Sequence, residues 1–286
     1  MNLETISDEV GVLAGKAGEL LAEEAGRWNE IRVEKKSGGD NPGTQVVTEV
    51  DRRLEEMLKE GLQSLELKGS VGWLGEESGD DGSRLKNEYF WCVDPLDGTQ
   101  AFVEGLPGIS ISIALVTQGG RPVLGVVFDP IGGNLYQSYE NGGCWKNGKK
   151  VRVQHEGQPI VPWDATWKRH PQGPLLRARL EEMGWSVRDV SGGAVMNVVS
   201  ILEGVRGSYF KFPKKVLGGG SLWDFSATDC LMREAGGLVG DIEGEPLCLN
   251  PADTTFMNTS GVLYATDATL KRDVEALWCE LGEISS

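Results

Sequence analysis

Apolar positions recur first at helical spacing and then in short alternating runs. Ile6, Val10, Leu13, Ala14, Ala17, Leu20, Leu21 and Ala25 share one face of a 3.6-residue period, which predicts an amphipathic helix over residues 3–28. Residues 35–45 are polar, carry glycine and show no period, so they read as a loop, either a bare linker or a lid. A helix resumes over residues 48–65, with Thr48 placed to cap it. Strand signals follow at residues 71–74, 89–93, 109–117, 122–129 and 134–139. The alternation is cleanest in Ile109-Ser110-Ile111-Ser112-Ile113. Gly119-Gly120 and Asn147-Gly148 mark tight turns, the second just before Val151-Arg152-Val153.

Beyond Val151 strands and helices alternate. Helices are expected at residues 174–183, 195–203, 225–235 and 268–281, and extended segments at 185–190, 207–212 and 261–265. Antiparallel strands early and alternating units later describe an α+β chain with an α/β second half. That pattern implies two subdomains, residues 1–150 and 151–286, with a cleft between them.

Composition narrows the classes. A chain of 286 residues with 40% hydrophobic content and a net charge of −15 is an acidic globular protein with a large core. That charge disfavours a nucleic-acid polymer as partner, yet still allows a small phosphorylated ligand where bound cations or local lysines reverse the sign. The five cysteines form no CxxC pair and mostly fall in apolar segments, as expected of thiols in a reducing compartment. No signal pattern and no apolar run of spanning length occurs, so a cytoplasmic location without membrane association is expected. The two histidines, His155 and His170, lie in polar surroundings and read as surface residues, which argues against a phosphohistidine or His-rich zinc site.

The richest chemistry lies in Val93-Asp94-Pro95-Leu96-Asp97-Gly98-Thr99. Asp94 and Asp97 are hard oxygen donors of the kind Mg²⁺ requires, and the Leu96 carbonyl between them is a third. Pro95 biases Asp94 toward extended backbone, so the carboxylates can converge. Gly98 permits close approach of a ligand, and Thr99 offers an amide and a hydroxyl. By itself a DPxDG segment reads more readily as a turn. Three further acidic sites change that reading. Val71 to Ser78 runs as a strand ending in Glu76-Glu77, Thr48 and Asp51 open a helix, and Trp223-Asp224 follows a glycine run at another helix start, where Asp224 is placed to cap.

In these motifs, in their order and spacing, the chain resembles the inositol monophosphatase-like, lithium-sensitive sugar and nucleotide phosphatases. The resemblance implies a layered α-β-α-β-α sugar-phosphatase-like fold with a mixed, largely antiparallel first sheet. It implies one Mg²⁺ on Glu76, Asp94 and the Leu96 carbonyl, a second on Asp94, Asp97 and Asp224, and a weaker third near Glu76. Asp51 and Thr99 would orient and deprotonate the attacking water, and the Gly98 and Thr99 amides would bind phosphate. The loop at 35–45 would approach the ions through Lys36 or Asp40. Family members are often dimers, so a homodimer is possible. The chemistry suits the residues, because clustered cations neutralise phosphoryl oxygens, acidify water and stabilise the leaving alkoxide.

Substrate is read from a departure. Where inositol-specific members carry a glutamate after a Tyr/Phe pair, this chain has Lys211, followed by Lys214 and Lys215. An ammonium donates hydrogen bonds and favours anions, which points to a second phosphate. The expected activity is therefore that of a 3'(2'),5'-bisphosphate nucleotidase, releasing AMP and phosphate from adenosine 3',5'-bisphosphate. The alternatives are an inositol or broad sugar-phosphate phosphatase, or a non-catalytic metal- or phosphate-sensing module. Gly193, in a glycine pair at a helix start, is a further candidate substrate contact or a close-packed turn. Trp163 and Trp167 line a base-binding wall or fill the core.

Overall fold

The computed structural model describes residues 1–25, 33–35 and 46–281. Helix α1 (Leu3–Ala25) is followed by the paired strands β1 (Val33–Lys35) and β2 (Val46–Thr48), then α2 (Glu49–Gln63). Thr48 immediately precedes α2, where a cap was expected. Most of the predicted loop, residues 36–45 with Lys36 and Asp40, lies outside the described residues, as does the predicted end of α1 at Trp28.

Among the described residues the first half forms a seven-stranded sheet in sequence order: β3 (Val71–Gly75), β4 (Tyr89–Asp97), β5 (Ser110–Thr117), β6 (Pro122–Asp129), β7 (Asn134–Tyr139), β8 (Gly143–Lys146) and β9 (Lys149–Val151). Only the β3–β4 pair is parallel, which makes the sheet mixed but largely antiparallel. The short helix α3 (Thr99–Glu104) joins β4 to β5. The second half begins with β10 (Ile160–Trp163), α4 (Ala165–Arg169), α5 (Gly173–Glu182), β11 (Ser186–Asp189) and α6 (Ala194–Leu202). It continues through β12 (Ser208–Lys211), α7 (Leu222–Glu234), β13 (Leu238–Gly240), β14 (Val262–Ala265) and α8 (Ala268–Leu281). Strands β12, β14 and β13 form an antiparallel sheet, β10 pairs with β11 in parallel, and a bridge from Ile160 to Gly207 links the two groups.

Alternation along each strand builds the layers. On β4 and β5, Trp91, Val93, Ile111, Ile113 and Leu115 face α1 and α2, packing with Val10, Leu54 and Leu58. Phe90, Cys92, Ala114 and Val116 face the other way, onto Val195 and Val198 of α6 and Phe225 and Leu231 of α7. The far side of that helical layer meets Tyr209 and Tyr264 of the second sheet. The opposite face of that sheet, with Phe210 and Leu263, packs on Leu180 of α5 and Val274 of α8. The order is helix, sheet, helix, sheet, helix. Both sheets lean on α6 and α7, and even Ser226, Thr228 and Asp229 of α7 are buried there.

Several expectations are corrected. Helix α7 starts at Leu222, not near Phe225, because Ser221 takes the N-cap position and Asp224 sits at the third helical position. There the Ser221 amide donates to Asp224 Oδ2 at 2.5 Å, as in a capping box. β9 ends at Val151 and does not begin there. Helices α3 and α4 and strands β8, β10 and β13 had no separate prediction; all are six residues or shorter, too short to show a period. His155 is exposed as expected, but His170 is half-buried, its ring in a T-shaped contact with Trp167.

α7 crosses β6 at Gly125, where an added Cβ would lie 2.5 Å from the Ala227 carbonyl oxygen. Because backbone cannot retreat like a side-chain tip, Gly125→Ala is expected to lose about 1–3 kcal/mol of unfolding free energy. Urea titration of the two proteins measures it.

Candidate active site

A bulge in β4 creates the site. Asp94 pairs with Ser112 and Asp97 with Ser110, so three steps along β4 match two along β5. In a regular strand Asp94 and Asp97 would point to opposite faces; the extra residue restores their common side. Pro95, with no amide to donate, sits inside the irregular stretch. The Asp94 carboxylate accepts the Leu96 amide at 3.0 Å, and the Leu96 carbonyl accepts the Thr99 hydroxyl at 3.1 Å.

The polar face of β5, the serines of its alternating run, closes the arrangement. Ser110 Oγ donates to Asp97 Oδ2 at 3.4 Å. Ser112 Oγ donates to the Trp223 carbonyl at 3.1 Å, tying down the first turn of α7 beside Asp224. As a result Asp94, Asp97 and Asp224 each bring a carboxylate oxygen within 4.8 Å of the others. Asp94 and Asp97 are buried and Asp224 is half-buried.

Such a cluster is electrostatically unfavourable alone. Burial, and then the charges of Glu76, Asp97 and Asp224, hold the Asp94 carboxyl well above the usual range. Burial and the charge of Asp224 raise Asp97 to about 8, while the Val195 amide and the Lys211 ammonium pull the other way. Three converging hard oxygen donors whose ionisation is suppressed by one another fit a divalent cation of the Mg²⁺ type.

The predicted site residues fall as follows. Asp94, Asp97 and Asp224 come together, with the Leu96 carbonyl on the same bulge. Glu76 follows β3, its amide bonded to the Val93 carbonyl at 3.2 Å. It is near enough to raise Asp94 and Asp97, although it is not a member of the three-carboxylate cluster. Asp51 is buried in the first turn of α2. Gly98 adopts φ 88°, ψ 33° and precedes α3, which Thr99 begins. A Cβ on Gly98 would meet the Gly108 carbonyl oxygen at 2.9 Å and the Gly193 nitrogen at 3.1 Å.

Gly193 lies in a close-packed turn, one of its two readings. Its amide donates to Gly108 O at 2.9 Å, and a Cβ there would run into the Asp97 carboxylate. The next two amides, Ala194 and Val195, donate to Asp97 at 3.1 and 3.0 Å. The N-terminus of α6 is thus turned onto an internal carboxylate. Asp97 is therefore also the cap of α6, a role hidden in sequence because 97 positions separate the partners.

Lys211 ends β12, mostly buried, over the rings of Phe225 and Tyr209 at 5.7 and 5.9 Å. Its ammonium lies 4.0 Å from Asp164, whose carboxylate also accepts the Tyr209 hydroxyl at 3.0 Å and the Thr166 amide at 2.9 Å. Asp164 was not anticipated as a partner. Trp163 and Trp167 stack at 5.7 Å and are buried with Leu176 and Phe210, so they are core.

The model of the inositol monophosphatase family matches residues 2–281. "Inositol monophosphatase 2" of Solanum lycopersicum is 30% identical over 278 residues, 94% of this chain and 96% of that one. "Nus factor SuhB" of Pasteurella multocida is 30% identical over 236 residues, covering 81% and 83%. The solved Thermotoga maritima IMPase superposes with a TM-score of 0.75 at 25% identity, over 98% of each chain.

Without divalent cation, Asp97 keeps its proton to about pH 8 when folded but loses it near 3.8 when unfolded. Between those values the folded state holds the extra proton, so this stabilisation is complete below pH 3.8 and drains as pH rises to 8. In chelator, the melting temperature should fall across this window, and Asp97→Asn should flatten the fall. The gain from added Mg²⁺ should be larger at pH 8 than at pH 5.5. Scanning calorimetry at the two pH values is the check, and equal gains would contradict it.

Proposed function

The chain belongs to the inositol monophosphatase family of phosphoric monoester hydrolases, and from that premise we propose that it acts on a small bisphosphate, best matched by adenosine 3',5'-bisphosphate, with Mg²⁺ as its cation. Lys211 carries the substrate reading. Its ammonium is held mostly buried where it acts on the charge of Asp97, so an anionic group arriving beside the reacting phosphate meets a fixed positive charge.

In this reading Glu76, Asp94 and the Leu96 carbonyl would hold one cation, and Asp94, Asp97 and Asp224 a second, with a third near Glu76. Cations bound there neutralise the phosphoryl oxygens and make water more acidic. The Asp51 carboxylate and Thr99 hydroxyl orient the attacking water, and Asp51 takes its proton. The Thr99 hydroxyl is held for this by its bond to the Leu96 carbonyl. The amides of Gly98 and Thr99 meet the phosphoryl oxygens, where the left-handed Gly98 turns the backbone into α3. A cytoplasmic location belongs to the same proposal and is supported by the buried thiols Cys92, Cys144 and Cys230. No helix among the described residues is long and apolar enough to cross a membrane.

A second reading, inositol monophosphatase activity, is favoured by the name and 94% coverage of the Solanum lycopersicum relative. Lys211 would then serve as the internal counter-ion of Asp164.

Steady-state kinetics with Mg²⁺ on adenosine 3',5'-bisphosphate, inositol 1-phosphate and fructose 1,6-bisphosphate separates the two. The first should be preferred, and Lys211→Glu should cost it about tenfold or more in kcat/KM, some 1.4 kcal/mol. A clear preference for inositol 1-phosphate would transfer the assignment to the second reading. Asp94→Asn should abolish turnover on every substrate.

A further inference from the structure

The turn that carries Glu76 is clamped from two sides. On one side the Glu76 amide donates to the Val93 carbonyl, next to Asp94. On the other, the amides of Glu77 and Ser78 donate to the two carboxylate oxygens of Glu55, at 2.7 and 2.8 Å. Glu55 is buried and lies on α2 one turn beyond Asp51, on the same helical face. Gly75 completes the fit, because a Cβ there would stand 2.6 Å from the Glu55 carboxylate. The Trp73 indole adds a bond to Ser78 Oγ at 2.8 Å.

A buried glutamate at full charge is costly unless its oxygens are satisfied. Here both oxygens are spent on backbone amides of a single turn, a geometry that fixes the turn's position and orientation. A neutral hydroxyl or amide would offer one acceptor where two are used. The same helix presents Asp51, so α2 sets Asp51 and the Glu76 turn in one frame.

We propose that Glu55 is a positioning residue that sets the affinity of the candidate metal site by fixing Glu76 relative to Asp94 and Asp51. This rests on the proposal that Glu76 is a cation ligand. Glu55 touches neither substrate nor cation and acts through the Glu77 and Ser78 amides.

Calorimetric titration of the metal-stripped protein with Mg²⁺ tests it, alongside kinetics and melting curves. Glu55→Gln turns an N–H toward an N–H and breaks one of the two bonds. It should raise the Mg²⁺ dissociation constant about tenfold, equivalent to about 1.4 kcal/mol, while kcat at saturating Mg²⁺ stays within about threefold. Glu76→Gln should weaken Mg²⁺ at least as much. The double variant should be no more than about twofold weaker than Glu76→Gln alone, because the first residue works through the second. A purely structural role for Glu55 would lower the melting temperature and leave the dissociation constant in place, which overturns the proposal. Multiplicative effects in the double variant overturn it too. An unchanged constant in Glu76→Gln would sink both this proposal and the metal assignment it rests on, whereas failure of Glu55→Gln alone leaves that assignment standing. If Glu55→Gln does not fold, the same titration on Glu55→Asp and on Gly75→Ala, which pushes an intact Glu55 off the turn, decides the matter by the same criterion.

Discussion

Repulsion among buried carboxylates is the constraint on which this molecule is arranged. Asp94 and Asp97 are buried side by side with Asp224 in reach, and burial and the neighbouring charges press both upward in pKa. The protein offsets part of that cost itself. Two amides of α6 and the ammonium of Lys211 converge on Asp97, and the Leu96 amide on Asp94. These contributions come from both halves of the chain. The second half therefore completes the electrostatics of a motif that lies wholly in the first.

The layers explain how parts so distant in sequence reach one point. α6 and α7 are buried against both sheets, so their N-termini are set by packing on two sides. The bulge in β4 turns both of its aspartates to the side where those N-termini arrive. β5 faces the same way with serines, small enough to admit α7 and polar enough to hold Trp223. Large apolar residues at those two positions would extend the core and leave no room for the cluster.

The metal-type motif was legible because its residues are close in sequence and their chemistry is specific. The fold class was legible because its long elements carry clear signals: helical periods in α1 and α2, alternation at the start of β5 and an apolar run in β6. What escaped was relational. Asp97 as the cap of α6 spans 97 positions, and Asp164 as the partner of Lys211 spans 47. Such contacts are decided by tertiary packing and leave no local pattern. The start of α7 is different in kind: its S-x-x-D box at Ser221 is a local signal, and taking Asp224 by itself as the cap sets the helix start too late. Glu55 left a fainter trace, an acidic residue on the buried face between Leu54 and Leu58.

Gly98 and Gly108 approach Gly193 and Gly192 backbone to backbone, beside the Asp97 carboxylate that ties the DPLDGT segment to the start of α6. A joint of this kind tolerates almost no drift. A methyl group added at Gly98 or Gly108 meets main chain that cannot step aside as a side-chain tip can, so the joint admits no larger residue unless the start of α6 moves. The main chain alone therefore sets the register between the acidic motif and α6, a fixed datum against which the rest of the pocket is measured.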